Sequence, residues 1–253
     1  ADSLQPLDAA VVTDALLGNL RPEYRAMDVD PGNRFSVPWA TGTTAIGYDS
    51  SVLTEPPTWD VFLDATYAGR MTLLNERREA FAAALISLGK DPNTRDAATI
   101  AEAEARLTRM AASSAFNSAT YLDDLATGKV VVAQAFSTDV LQARKRNPKL
   151  AYTIPAAGAT RWVDLLCIPA DAPNAAAANA MIAYYLDPKV SATNAAYNLV
   201  ATGNLKARDF VPKEVLDDPA VYPPDDVVAE LAFLVDLGET EQVYDEAWKR
   251  VKS

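Results

Sequence analysis

Histidine is absent from this 253-residue chain, and with it the usual general base, proton shuttle and metal ligand. Ser-His-Asp and Cys-His nucleophile systems are therefore excluded. The single cysteine, Cys167, permits no internal disulfide and leaves the redox compartment open. It lies within an apolar stretch, so it reads as a small buried hydrophobe rather than a reactive thiol. Basic residues are in the minority: 23 Lys and Arg against 34 Asp and Glu give a net charge of −11. Such a balance argues against nucleic acid and anionic membrane as partners, and is compatible with a cationic ligand. Gly42, Gly47 and Gly69 form neither a dinucleotide-binding nor a phosphate-binding pattern, and no Asp-x-Asp-x-Asp-Gly calcium loop is present. No apolar run reaches the length of a membrane-spanning helix. Ala1-Asp2-Ser3 shows no signal peptide, as expected also of a trimmed secreted chain. No enzyme activity, catalytic residue, cofactor or metal site is expected.

What is present alternates between strand and helix signals. Phe35–Trp39 and Thr43–Tyr48 read as strand material around a break at Gly42, and Thr58–Leu63 as a capped helical turn. Met71–Leu74 reads as a short buried strand, followed by a helix from Glu76 to Leu88 with Phe81, Leu85 and Leu88 on one face. Thr94–Met110 is alanine- and glutamate-rich and helical. Val130–Phe136 is a continuous apolar strand of the kind buried on both faces. Helices over Ser137–Arg144, Asn174–Leu186, Pro188–Asn198 and the C-terminus, with a strand at Leu150–Pro155, complete the pattern. This alternation predicts an α/β fold with largely parallel sheets.

Four segments carry candidate chemistry. In Thr160–Pro169, Trp162 and Asp164 stand two apart and share one face of a predicted strand. An indole beside a carboxylate suits an organic cation; the alternative is an edge tryptophan and a strand-entry acid. Glu76 and Glu79 share a helix face just past a strand end, where open α/β sheets bind ligands. Read alone, the segment is explained somewhat better by first-turn acids favoured by the helix dipole, or paired with Arg77 and Arg78. Asn117 and Ser118 in a loop, and Phe136 at a strand end, sit where sites form, but also where helix caps and core aromatics are common.

Together these segments resemble the bacterial periplasmic spermidine/putrescine-binding proteins, the solute receptors of ABC importers. The resemblance runs from about Leu4 to the C-terminus. It rests on Leu4-Gln5-Pro6-Leu7-Asp8, Ser36–Trp39 with Gly42–Tyr48, Thr58-Trp59-Asp60, Arg78–Phe81, Trp162-Val163-Asp164 and Ile168-Pro169-Ala170, in that order. It implies a two-lobed periplasmic-binding-protein fold of type II, with lobe one from residues 1–45 and 165–253 and lobe two from 46–164. It further implies a small cationic ligand held between lobes by Trp162, Asp164, Glu76, Glu79 and Phe136, a membrane permease as partner, and a periplasmic or membrane-anchored extracellular location. Val200 stands where the family often has tyrosine and Leu234 where it has glutamine, which makes the expected pocket less polar. Against the family pattern the first βαβ block of lobe one is missing, so lobe one is expected to be N-terminally incomplete and to self-associate through an exposed sheet edge. Other readings stay open: a receptor for an amino acid derivative, an aminophosphonate or ferric ion, or a truncated lobe that binds nothing.

Overall fold

The computed structural model describes residues 3–253. In chain order, β1 (Leu4–Gln5), α1 (Asp14–Leu17), α2 (Pro22–Arg25) and β2 (Ser36–Asp49) lead to β3 (Met71–Leu73). Then come α3 (Arg77–Ser87), α4 (Ala97–Ala111), β4 (Ser114–Phe116), α5 (Tyr121–Ala126), β5 (Val132–Phe136) and α6 (Ser137–Arg144). β6 (Leu150–Thr153), β7 (Thr160–Pro169), α7 (Ala175–Tyr185) and α8 (Pro188–Asn198) follow. The chain closes with α9 (Lys213–Leu216), α10 (Asp225–Ala229), β8 (Ala232–Phe233) and α11 (Glu241–Val251).

The chain folds into two compact units. One comprises residues 1–42 and 163–222, the other Thr43–Trp162 with Pro223–Ser253. Two of the three divisions fall inside strands, after Gly42 in β2 and after Trp162 in β7, and the third falls after Tyr222 in a loop. In the first unit β1 runs antiparallel to β7 (Leu4 opposite Pro169). Its core joins Val12, Leu17 and Leu20 to Val37, Ile168, Ile182 and Leu186. Buried Asn204 ties the segment after α8 down by donating to the Leu186 carbonyl at 2.8 Å.

The second unit is a sheet in the order β6-β2-β5-β3-β4. β3 is parallel to β4 and β5, while β2 is antiparallel to both β5 and β6. β5 is buried almost throughout, as its unbroken apolar run requires. Two helices, α3 and α4, supply Phe81, Leu85, Ile100, Leu107 and Met110 to the core. Asp96 caps α4, its carboxylate accepting from the Thr99 amide at 2.8 Å.

Four expectations need correction. The strand break at Gly42 does not occur: β2 runs unbroken for 14 residues. The sheet of the second unit is mixed rather than largely parallel, because β2 passes between β5 and β6 against their direction. The last 31 residues do not belong with the first unit. α11 places Tyr244 and Ala247, both fully buried, against Phe81 and α4 of the second unit. Cys167 is exposed rather than buried, because Ile168, its neighbour in β7, takes the core-facing place.

Candidate functional site

At the C-terminal edge of β3 in the second unit, three hydrogen bonds shape the turn into α3. The Leu74 amide donates to Gln134 Oε1 at 3.2 Å and the Asn75 amide to Ser118 Oγ at 2.9 Å. Gln134 Nε2 in turn donates to the backbone carbonyl of Glu79 at 2.7 Å. Gln134 is 1% exposed, and a buried amide bonded through both its oxygen and its nitrogen fixes the backbone on both sides of it. The first turn of α3 is thereby fastened to the ends of β3 and β5.

From that turn the Glu79 carboxylate reaches two hydroxyls. Thr44 Oγ1 of β2 donates to Oε1 at 3.2 Å, and Thr160 Oγ1 of β7 donates to Oε2 at 2.8 Å. Burial pushes the Glu79 carboxyl above the ordinary carboxylate range; the two threonine hydrogen bonds pull the other way but less strongly. Glu79 forms no ion pair with any described residue. Thr44 lies opposite Phe136 in the β2–β5 ladder, and the Phe136 ring meets the Trp162 indole edge-to-face, centroids 6.3 Å apart at 86°. Because alternate strand residues share a face, Thr160 and Trp162 project together from β7. Glu79, Phe136 and Trp162 thus come together with Thr44 and Thr160. Behind them, Thr43 Oγ1 and the Tyr152 hydroxyl share a hydrogen bond at 2.7 Å.

The neighbouring cations are engaged elsewhere. Arg77 bonds to Glu241 and Asp245 of α11, and Arg78 Nη1 donates to Glu241 Oε1 at 2.6 Å. Arg161 lies over the Phe233 ring of β8 at 4.1 Å. The expected alternative, in which Arg77 and Arg78 neutralise Glu76 and Glu79, is not the arrangement adopted. Glu76 is the exposed N-cap residue of α3 and its side chain makes no capping bond. With Arg77, Arg78, Glu79, Phe136, Asp245 and Trp248 it lines a shallow depression. A shielded carboxylate beside two aromatic rings, in no ion pair with a described residue although Arg78 lies near enough to act on its charge, is chemically a receptor for a positively charged group.

The remaining candidates lie apart from that corner or are engaged in local structure. Asn117 orders the loop before α5: its Oδ1 accepts from the Ala119 and Thr120 amides, and its Nδ2 donates to Thr120 and Asp124. Ser118 is the acceptor that holds Asn75. Asp164 follows Trp162 by two residues in β7 and is exposed, yet atoms that partly shield its carboxyl from water raise its pKa. Val200 is buried, and Leu234 packs on the second unit's core. The Tyr184–Tyr185 rings touch at 6.0 Å within α7, Tyr184 being 63% exposed. Thr44, Thr160 and Gln134 escaped sequence reasoning; only the Thr160/Trp162 alternation hinted at one of them.

Among the described residues no helix is long and apolar enough to cross a membrane. The chain is similar to periplasmic binding proteins. The chain is 33% identical over 276 residues to a putrescine-binding periplasmic protein of Escherichia coli, covering 100% of this chain and 74% of that one. It is 30% identical over 241 residues to spermidine/putrescine-binding periplasmic protein 1 of Haemophilus influenzae, covering 94% and 67%. Among solved structures, a putative spermidine/putrescine ABC transporter protein of Listeria monocytogenes superimposes with a TM-score of 0.89 at 29% identity, covering 99% of this chain and 78% of that one. A substrate-binding protein of a spermidine/putrescine ABC transporter from Streptococcus pneumoniae gives 0.88 at 28%, with the same coverage. Residues 2–224 match the family described as bacterial extracellular solute-binding protein. In sequence and in fold, this chain is a member of the bacterial extracellular solute-binding protein family.

Proposed function

We propose that this protein is the extracytoplasmic receptor of an ABC importer and binds a polyamine such as putrescine or spermidine, delivering it to a membrane permease. The observation that carries the reading is Glu79: a carboxylate held by two threonine hydroxyls, in no ion pair with a described residue, beside the Phe136–Trp162 corner. A buried ammonium needs a carboxylate and hydrogen bonds to offset its lost hydration, while aromatic faces cover the methylene chain and attract the charge. Glu79 is assigned the first ammonium, with Glu76 and Asp164 as the further acids and Trp162 and Phe136 as the apolar wall. Asn117 and Ser118 serve by holding the loops beside α3. The relatives' names support the choice of ligand class. A periplasmic or cell-surface location belongs to the same reading.

Isothermal titration calorimetry with putrescine and spermidine tests it. Wild-type protein is expected to bind at least one of them, and Glu79→Gln to weaken that binding by about 2–5 kcal/mol, the range for breaking a buried charged pair. Equal affinity of the two proteins would remove Glu79 from the site.

A further inference from the structure

Three arginines stand next to site residues in the sequence: Arg77 and Arg78 beside Glu76 and Glu79, and Arg161 beside Trp162. Any of them delivered to Glu79 would occupy it with a permanent cation. Strand alternation sends Arg161 to the opposite face from Thr160 and Trp162, where it stacks on Phe233. No such geometric rule disposes of Arg77 and Arg78, which occupy the same helical turn as Glu79. They are held by side chains of a distant segment. Glu241 accepts from both, Oε1 from Arg78 and Oε2 from Arg77, and its backbone carbonyl accepts from Arg77 at 3.2 Å. Asp245, one helical turn further along α11, takes the other Arg77 nitrogen. Arg78 is further fixed by the Val235 carbonyl, Asn93 Oδ1 and the Tyr244 ring. Two arginines and two acids make this cluster neutral.

We infer that Glu241 is a specificity-determining residue that acts at a distance. By neutralising Arg77 and Arg78 it keeps the ground around Glu79 anionic and reserves that carboxylate for a cationic solute. The inference rests on the reading of Glu79 as an ammonium site, but the field it describes exists without any ligand. The groups facing Glu79 are known: Thr44, Thr160 and Tyr152 behind it, and Glu76 and the arginine cluster at the mouth. Removing the Glu241 charge leaves one net positive charge on the cluster that shares the depression with Glu79. At an effective dielectric of about 20, one unit charge roughly 12 Å away is worth about tenfold in an equilibrium constant.

The test reads Glu79 directly. Carbon-13 NMR would follow the Glu79 carboxyl titration in wild type, Glu241→Gln, Arg77→Gln and the double variant, and calorimetry would follow putrescine binding in the same four proteins. In Glu241→Gln the Glu79 midpoint is expected to fall and putrescine to bind about tenfold more weakly. The double variant restores cluster neutrality and is expected to return both values towards wild type, which a merely structural role for Glu241 would not do. Arg77→Gln alone leaves the cluster negative, so the midpoint rises and putrescine binds more tightly. This arm stands even if Glu241→Gln fails to fold. A Glu79 midpoint unmoved in Glu241→Gln, or one that falls in Arg77→Gln, overturns the inference. Midpoints that move as described while neither putrescine nor spermidine binds wild type would uphold the field and overturn the polyamine reading instead.

Discussion

Glu79 sits in an environment that favours its neutral form. Its folded-state carboxyl titrates above the ordinary range because burial outweighs the threonine hydrogen bonds. Between the ordinary carboxylate value of about 4.3 and the raised one, the folded protein holds a proton the unfolded chain has lost. Stability therefore falls as pH rises through that window and stays lowered above it. Glu79→Gln removes this cost, so at pH 7.5 the unliganded variant is expected to be at least as stable as wild type. The advantage should shrink as pH falls towards about 4. Urea denaturation at several pH values measures it, and a variant clearly less stable at pH 7.5 would contradict the balance described. The same sequence position that weakens the empty receptor is the one assigned to the ligand, the usual relation between strain and function. At this scale the acids and aromatics were legible in the sequence because their chemistry is distinctive. Thr44, Thr160 and Gln134 were not, since a threonine or glutamine gains a role only from what faces it.

Among the elements, β2 does most to align the site, placing Thr44 opposite Phe136 and Thr43 within hydrogen-bond reach of Tyr152. Its close approach to α6 depends on Gly47, where an added Cβ would meet Val140 Cγ2 at 2.5 Å. Val140 is fully buried and β-branched, with little freedom to turn aside. Gly47→Ala is expected to destabilise the protein by about 1–3 kcal/mol, read from denaturant unfolding. Gly47→Ala with Val140→Ala should recover part of that loss; no recovery would place the strain elsewhere. The elements themselves were mostly foreseen: α6 and α8 match the expected ranges, and α3 and α7 begin one residue late and end one early. The unbroken course of β2 was not, because Gly42 reads locally as a break while the ladder that carries the strand through it is non-local.

Over the whole molecule, the assignment of α11 to the second unit has a direct consequence. Tyr244 packs edge-to-face on Phe81 with centroids 5.2 Å apart, and Trp248 meets Phe116 at 4.7 Å. Arg250 of α11 also pairs with Glu104 of α4 at 2.7 Å. A chain ending at Thr240 is therefore expected to lose hydrogen-exchange protection in α3 and α4 while α7 and α8, in the other unit, keep theirs. Loss confined to α7 and α8 would overturn the assignment.

The sequence by itself determined the absence of histidine chemistry, the anionic balance, the run of helices and strands, and the acids and aromatics at strand ends. Each follows from composition or from periodicities of 2 and 3.6 residues. Only the tertiary structure decided which carboxylate is shielded, which hydroxyls hold it, and where the adjacent arginines go. Those outcomes depend on contacts between residues 35 to 168 positions apart, from Thr44–Glu79 to Arg77–Asp245. Local propensity carries no information about such pairs, so the site's charge was settled by the packing of α11 on α3 rather than by the acidic pair alone.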